Sequence, residues 1–139
     1  MKSKVLTLGL IYLLMLGSVL SGEKKRQINI SWKELFPYHL ERVCVFMKKG
    51  TTVFRFTSHY EMMVHLNVGS MEKELKEYDY KIENIKVVIH NHFTKCKFSD
   101  SDETQYRRLK KRGFNGLFLL YCHRTKKVYD IEDKKKDLT

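Results

Sequence analysis

Two histidines one residue apart follow directly on an apolar run, and they are the side chains of this chain best suited to chemistry. The run at 85–89, Ile-Lys-Val-Val-Ile, is rich in β-branched residues and is typical of a strand covered on both faces. Because side chains two apart along a strand share a face, His90 and His92 should project the same way at its end. Two neutral imidazoles on one face can bind a divalent metal ion.

A carboxylate that could complete such a site follows ten residues after His92. Asp102 closes the cluster Ser99-Asp100-Ser101-Asp102, and two histidines with one aspartate leave a zinc position open for water, as in catalytic sites. The same cluster is also an ordinary helix N-terminus, in which Ser99 caps the backbone and the acid favours the helix dipole. The order strand, His-x-His, loop, Ser-x-x-Asp and helix favours a Zn²⁺ site on His90, His92 and Asp102.

The pattern His90-Asn91-His92 followed by Ser99-x-x-Asp102 resembles the JAMM motif of the JAB/MPN metalloprotease-like family, including its DNA-repair-associated and toxin-associated bacterial branches. The resemblance implies an α+β fold of the cytidine deaminase-like kind, a mixed β-sheet flanked by helices in a single domain. It also implies zinc ligation by the two histidines and the aspartate, oxyanion stabilisation by Ser99, and an upstream glutamate as general base.

Glu41 is the glutamate that the resemblance favours as the general base. In the family, this residue begins a Glu-x-x-Gly pattern followed by apolar residues, and here Cys44 stands in place of the glycine. Glu34 and Glu61 are alternatives, and Glu41 is otherwise an exposed acid paired with a neighbouring arginine.

The motif departs from the family pattern at two points. Phe93 replaces the usual proline after the second histidine, and six residues instead of seven precede the serine. The shorter loop leaves Ser101 as an alternative to Ser99.

The elements around the motif follow from periodicity and from cap and turn signals. A short helix is expected at 31–39, where Ser31 and Glu34 form a capping box before Pro37 breaks it. The other expected elements are strands at 42–47 and 51–57 around a turn at 48–50, a surface helix or long loop at 71–80, a helix at 100–112, and strands at 116–122 and 126–131. This order predicts an α+β domain with a mixed or mainly antiparallel sheet.

The N-terminus has the pattern of an export signal. Residues 1–21 combine a basic start, an apolar run and small residues, and they are predicted to be a signal peptide, with an uncleaved N-terminal anchor as the alternative. A charged linker at 22–30, the JAB/MPN-like domain at 31–132 and a charged tail at 133–139 should follow. The protein is therefore expected to be exported, periplasmic or secreted.

The charge of the chain indicates which partners it could bind. The net charge of +11 favours anionic partners such as envelope polymers, lipid headgroups or nucleic acid, and the residues at 107–112 make a basic helix face.

Three cysteines leave at least one unpaired within the chain. Cys44 and Cys122 lie on expected core strands as buried thiols, although an oxidising compartment permits a bridge. Cys96, inside the metal loop, is a stray residue, a fourth zinc ligand or an oxidation-sensitive thiol.

These observations favour an exported zinc-dependent metallopeptidase-like or isopeptidase-like hydrolase of the JAMM type, acting on a peptide or protein substrate. An alternative is a catalytically inactive JAB-like binding module whose basic surface holds an anionic partner. A metal-dependent His-Asn-His nuclease is a lesser alternative, because that label names residues spread over a ββα finger and not a literal tripeptide.

Overall fold

The computed structural model describes residues 2–7, 31–37, 40–50, 52–57 and 66–133 of the 139-residue chain. Their elements, in chain order, are β1 (Lys2–Thr7), α1 (Trp32–Leu35), β2 (Arg42–Met47), β3 (Thr52–Thr57), α2 (Val68–Glu77), a 3₁₀ turn (Ile82–Asn84), β4 (Ile85–His92), α3 (Asp100–Lys111), β5 (Leu117–Cys122) and β6 (Lys127–Asp130).

One mixed sheet organises these elements. Its strand order is β1-β3-β2-β4-β5-β6, with β4 and β5 parallel and every other neighbouring pair antiparallel. The predicted class is confirmed at this level: an α+β single domain with a mixed sheet flanked by helices.

Strand β4 is covered on both faces, as its apolar run predicts. Ile85 and Val88 belong to a core cluster that includes side chains of α2 and α3. Val87 and Ile89 belong to a second cluster on the other face, together with Leu35 of α1. Each aliphatic side chain buried in this way contributes roughly 1.5–3 kcal/mol to folding, so the sheet holds β4 firmly.

The unit β4-α3-β5 decides where the histidines lie. Parallel neighbours need a crossover, and here α3 supplies it, so its N-terminus follows the carboxyl end of β4. Gly116 precedes β5 where the chain passes very close to β4: a Cβ there would lie 2.7 Å from the carbonyl oxygen of Ile85. Only glycine fits such an approach without a backbone shift.

Most boundaries agree with the sequence prediction. Strand β4 continues beyond its apolar run through His92, and α2 begins before the predicted helix because Asn67 caps it by accepting a hydrogen bond from the Ser70 backbone N–H at 2.9 Å. Helix α1 has the predicted Ser31 capping box but ends at Leu35, short of the predicted 31–39. Gly50 has a φ of 81°, as expected for the turn between β2 and β3.

The ends of the chain lie largely beyond the described part. Of the predicted signal peptide at 1–21, only Lys2–Thr7 is described, as β1 paired with β3, a strand that the sequence pattern did not predict. The predicted linker at 22–30 and all of the tail at 133–139 except Asp133 fall outside the described residues. Among the helices that are described, none is long and apolar enough to cross a bilayer.

Candidate metal centre

Three potential metal ligands converge at the carboxyl end of β4. His90 Nε2 lies 3.2 Å from Asp102 Oδ1, and His92 Nε2 lies 3.5 Å from Asp102 Oδ2. One possible ligand atom from each of the three side chains lies within 4.8 Å of the other two. The structure therefore brings together the three residues that the sequence predicted as ligands.

His90 is buried among aromatic rings. Its side chain packs beside Phe98 and Phe118, with ring centroids 5.9 and 5.6 Å away. Its Nε2 is buried without a well-formed hydrogen bond, and it faces Asp102 Oδ1 at 3.2 Å. Buried imidazole nitrogens are normally satisfied, so a nitrogen left in this state beside a carboxylate fits a metal ligand.

His92 is held by the loop that follows it. Its Nδ1 lies 3.0 Å from the carbonyl oxygen of Lys95, so Nδ1 carries the proton and donates, and the lone pair of Nε2 faces Asp102. Burial, and then the nearby His90, lowers the pKa of His92 in spite of the opposing Asp102 charge. A neutral imidazole whose other nitrogen donates to a carbonyl is the usual state of a metal-ligating histidine.

Asp102 serves the helix end and the candidate site together. Its Oδ2 accepts from the Ser99 backbone N–H at 2.7 Å, and the Ser99 Oγ accepts from the Asp102 N–H at 3.1 Å. Burial alone would raise the pKa of Asp102, but His90, the Ser99 N–H and His92 together lower it to about 2. The capping box is thus real, and it fixes an ionised carboxylate against both histidines.

Of the two candidate serines, Ser99 is the residue tied to the site. Its hydroxyl accepts from Asp102 and still has its own proton to donate. Ser101 is exposed in the first turn of α3.

Glu41 lies just before β2 and is half-buried. Val43, two residues further on, pairs with His90 in the neighbouring strand. Because side chains two residues apart along a strand share a face, Glu41 lies on the face of the sheet that carries the histidines. Glu34 is bonded to Ser31 at the start of α1, which packs on the other face of the sheet. The third alternative, Glu61, falls outside the described residues.

Asn91 is a site residue that sequence reasoning missed. It is fully buried, and alternation along β4 places its side chain on the face opposite the two histidines. Its Nδ2 donates to Leu40 O at 3.0 Å and to His123 Nε2 at 2.9 Å. Its Oδ1 accepts from the Arg42 N–H at 2.7 Å. Asn91 therefore holds the backbone on both sides of Glu41. The sequence feature that could have indicated this role is an amide side chain at a position of an apolar strand where side chains are buried.

A disulfide between Cys96 and Cys122 closes the loop after β4, with the Cα atoms 5.2 Å apart. Cys122 stands next to His92 in the parallel ladder. The interpretations of Cys96 as a fourth zinc ligand or a stray loop residue are therefore wrong, as is that of Cys122 as a free buried thiol, because each sulfur is bonded to the other. The third interpretation of Cys96, an oxidation-sensitive thiol, is compatible with this bond. Cys44 is the buried thiol that was expected, and burial raises its pKa to about 12, so it is inert.

Comparison with known proteins adds no relative to this picture. No family model, no curated protein and no solved structure matches the chain.

Proposed function

We propose that this chain is a zinc-dependent hydrolase of the JAMM type that cleaves peptide or isopeptide bonds. The observation that carries the proposal is the convergence of His90, His92 and Asp102 within metal-ligand distance of one another. The path from β4 through the loop into α3 and on to β5 supports a JAB/MPN-like fold, because this is the order in which the resemblance places the motif.

Zn²⁺ is the ion that the donor set favours. Two imidazole nitrogens and one carboxylate oxygen match the ligands zinc takes in catalytic sites, where a fourth position stays open. His90 Nε2, which is buried without a well-formed hydrogen bond, and His92 Nε2, whose ring donates through Nδ1 to Lys95, are both suited to ligation. Bound there, zinc would supply Lewis acidity toward water and the scissile carbonyl.

The protein's own residues would carry the proton and the developing charge. Glu41 would take the proton from the attacking water and return it to the leaving amine as general base and then acid. Ser99 would donate its hydroxyl proton toward the developing oxyanion while its oxygen stays bonded to the Asp102 N–H. Asn91 would keep Glu41 in place through its hydrogen bonds to Leu40 and Arg42.

Export is part of the proposal. The Cys96–Cys122 disulfide supports it, since such bonds persist in oxidising compartments and are rare in reducing ones. The leader-like pattern of residues 1–21 points the same way. The substrate would then be a peptide or protein outside the cytoplasm.

A second candidate function is that of an inactive binding module for an anionic envelope component. The basic end of α3 favours it: Arg107, Arg108, Lys110 and Lys111 are all exposed there. Phe93 and the shortened loop, the two departures from the family motif, also favour it. Metal-dependent cleavage of nucleic acid is the third, less favoured candidate.

Incubation of the zinc-loaded full chain with a mixed-sequence peptide library, read by mass spectrometry, tests the proposal. We expect cleavage that disappears in the His90→Ala/His92→Ala variant and falls at least about 100-fold in Glu41→Gln, which should keep its zinc. Plasmid DNA incubated in parallel should stay intact. A zinc-loaded protein that cleaves no peptide would contradict the hydrolase assignment and favour the binding module, and nicked plasmid would favour the nuclease.

A further inference from the structure

Two arginines lie diagonally from each other on the neighbouring strands β2 and β3, on the face of the sheet opposite the candidate metal centre. Cys44 of β2 pairs with Arg55 of β3, and Arg42 precedes Cys44 by two residues. Directly paired residues and residues two apart share a face, so both arginines are on the side of Cys44. That side is the cluster covered by α1, whereas His90 and its partner Phe118 belong to the other side.

One guanidinium nitrogen of each arginine lacks a partner in the part of the protein that the structure describes. The Nε atoms of Arg42 and Arg55 are buried and have no hydrogen-bond partner. Within the described residues, the ion pairs formed by lysine and arginine join Lys81 to Glu83 and Arg112 to Glu72, and neither involves this pair. Buried polar groups and charges are normally paired, so two such groups together indicate a missing partner.

The two charges also oppose each other. Burial, and then the neighbouring Arg55, lowers the pKa of Arg42. Glu34 is an acid that interacts electrostatically with this pair. Hydrogen bonds from Ser31 lower the pKa of Glu34, and the charge of Arg55 lowers it further by a smaller amount. Its carboxylate accepts from the Ser31 N–H and hydroxyl at 3.0 and 3.1 Å, and among the described residues no ion pair joins it to either arginine.

We propose that Arg42 and Arg55 form a binding site for an oxyanion, the carboxylate or phosphate group of a ligand. Guanidinium groups present planar pairs of N–H donors that match two oxygens of such a group, and an anion between them would satisfy both Nε atoms and screen the repulsion. The proposed hydrolase activity involves only the backbone N–H of Arg42, whereas the anion site uses the side chains of both arginines on the other face of the sheet, so neither proposal depends on the other.

Trp32 makes the site measurable. It is the chain's single tryptophan, it lies on α1, and its ring stacks on Tyr121 with centroids 4.8 Å apart. An anion that binds next to α1 should change its fluorescence. The probes are inorganic phosphate and acetate, each titrated into the full chain against sodium chloride at constant ionic strength.

We expect a saturable change with at least one of the two anions, at least about tenfold weaker in Arg42→Gln or Arg55→Gln and absent in the double variant. The Lys73→Gln/Lys76→Gln variant removes the same charge from the exposed surface of α2 and should respond as wild type. Phosphate can also bind zinc, so the titration is repeated on His90→Ala/His92→Ala, where the response should persist. A fluorescence change with phosphate alone would indicate that the ligand carries a phosphate group, and a change with acetate alone would indicate a carboxylate.

Thermal melting distinguishes loss of anion binding from loss of folding in the variants. With no anion added, the double glutamine variant should melt at or above the wild-type temperature, because it removes repulsion between neighbouring cations. A wild type without a saturable response, or a double variant that binds as well as wild type, would overturn the proposal. A response lost in His90→Ala/His92→Ala would assign the anion to the metal centre and overturn it as well.

Discussion

His92 stands beside Cys122 in the parallel ladder between β4 and β5, so the disulfide from Cys122 to Cys96 braces the loop that orients this histidine. The loop supplies the Lys95 carbonyl that accepts from His92 Nδ1 at 3.0 Å. The His123 N–H also donates to the His92 carbonyl at 2.9 Å. The candidate centre is thus held by two neighbouring strands and by a covalent bond from the end of β5 to the loop after β4.

Removing this bond should weaken metal binding. In Cys96→Ser/Cys122→Ser, or after reduction by a phosphine, which does not compete for zinc as a dithiol does, we expect zinc affinity to fall about 10–100-fold as the Lys95 carbonyl loses its position. Loss of the disulfide should also cost about 2–4 kcal/mol of stability. Chelator-competition titration and urea unfolding measure the two effects. Cys44→Ala is the control, because it removes a buried unbonded thiol; equal zinc affinity in both variants would contradict the bracing role.

Asn91→Ala should separate metal binding from hydrolysis. The substitution leaves the Leu40 carbonyl and the Arg42 N–H without their side-chain partner, at a cost of about 2–3 kcal/mol. Peptide cleavage should fall with Glu41 displaced, while zinc content stays near wild type. Asn115→Ala, which removes an exposed amide bonded to Lys48, is the matched control. Unchanged cleavage at normal zinc content would show that Asn91 does not position the base.

Ser99→Ala should lower both stability and activity. The hydroxyl that caps α3 is lost, which costs about 1 kcal/mol, and the proposed oxyanion donor is lost with it. Ser99→Thr keeps a hydroxyl and should restore most of the melting temperature and of the cleavage rate. Ser101→Ala changes an exposed residue and should alter neither quantity; a larger loss of cleavage there than in Ser99→Ala would transfer the role to Ser101.

The metal-free protein should lose stability as the pH falls. The folded-state pKa values of His92 and Asp102 are both lowered, so in each case the unfolded chain binds protons more readily. The His92 contribution is present above its ordinary pKa of 6.5 and is lost below it. The Asp102 contribution, on the order of 2 kcal/mol, is present above 3.8 and is lost as the pH falls toward 2.

Urea unfolding of the chelated protein between pH 3 and pH 8 measures this dependence. The stability curve of His92→Gln should lie flatter than that of wild type just below pH 6.5. A wild-type stability that rises on acidification through that range would contradict the assignment.

Features encoded by neighbouring residues were open to prediction from the sequence. The β-branched run before His90, the Gly50 turn and the Ser99 capping box all have the expected structure, because each depends on side chains a few residues apart. The proximity of Asp102 to the histidines followed from the order of strand, loop and helix. Local patterns thus sufficed for the candidate ligands.

Features set by distant pairing were not predictable in this way. Asn91 bonds to Leu40 and Arg42 across the sheet, and nothing near it in sequence shows that its amide faces another strand. The choice of Cys122 as the partner of Cys96 depends on β4 and β5 lying side by side. Such contacts are decided by tertiary packing.

Metal content is the most direct measurement of the central claim. Elemental mass spectrometry of the full chain, purified without chelator, should find about one zinc per chain in wild type and none in His90→Ala/His92→Ala. His123→Gln is the matched control: it changes a histidine outside the triad, bonded to Asn91, and should keep its zinc. Folded wild type that holds no metal, or a double variant that holds as much zinc as wild type, would contradict the account.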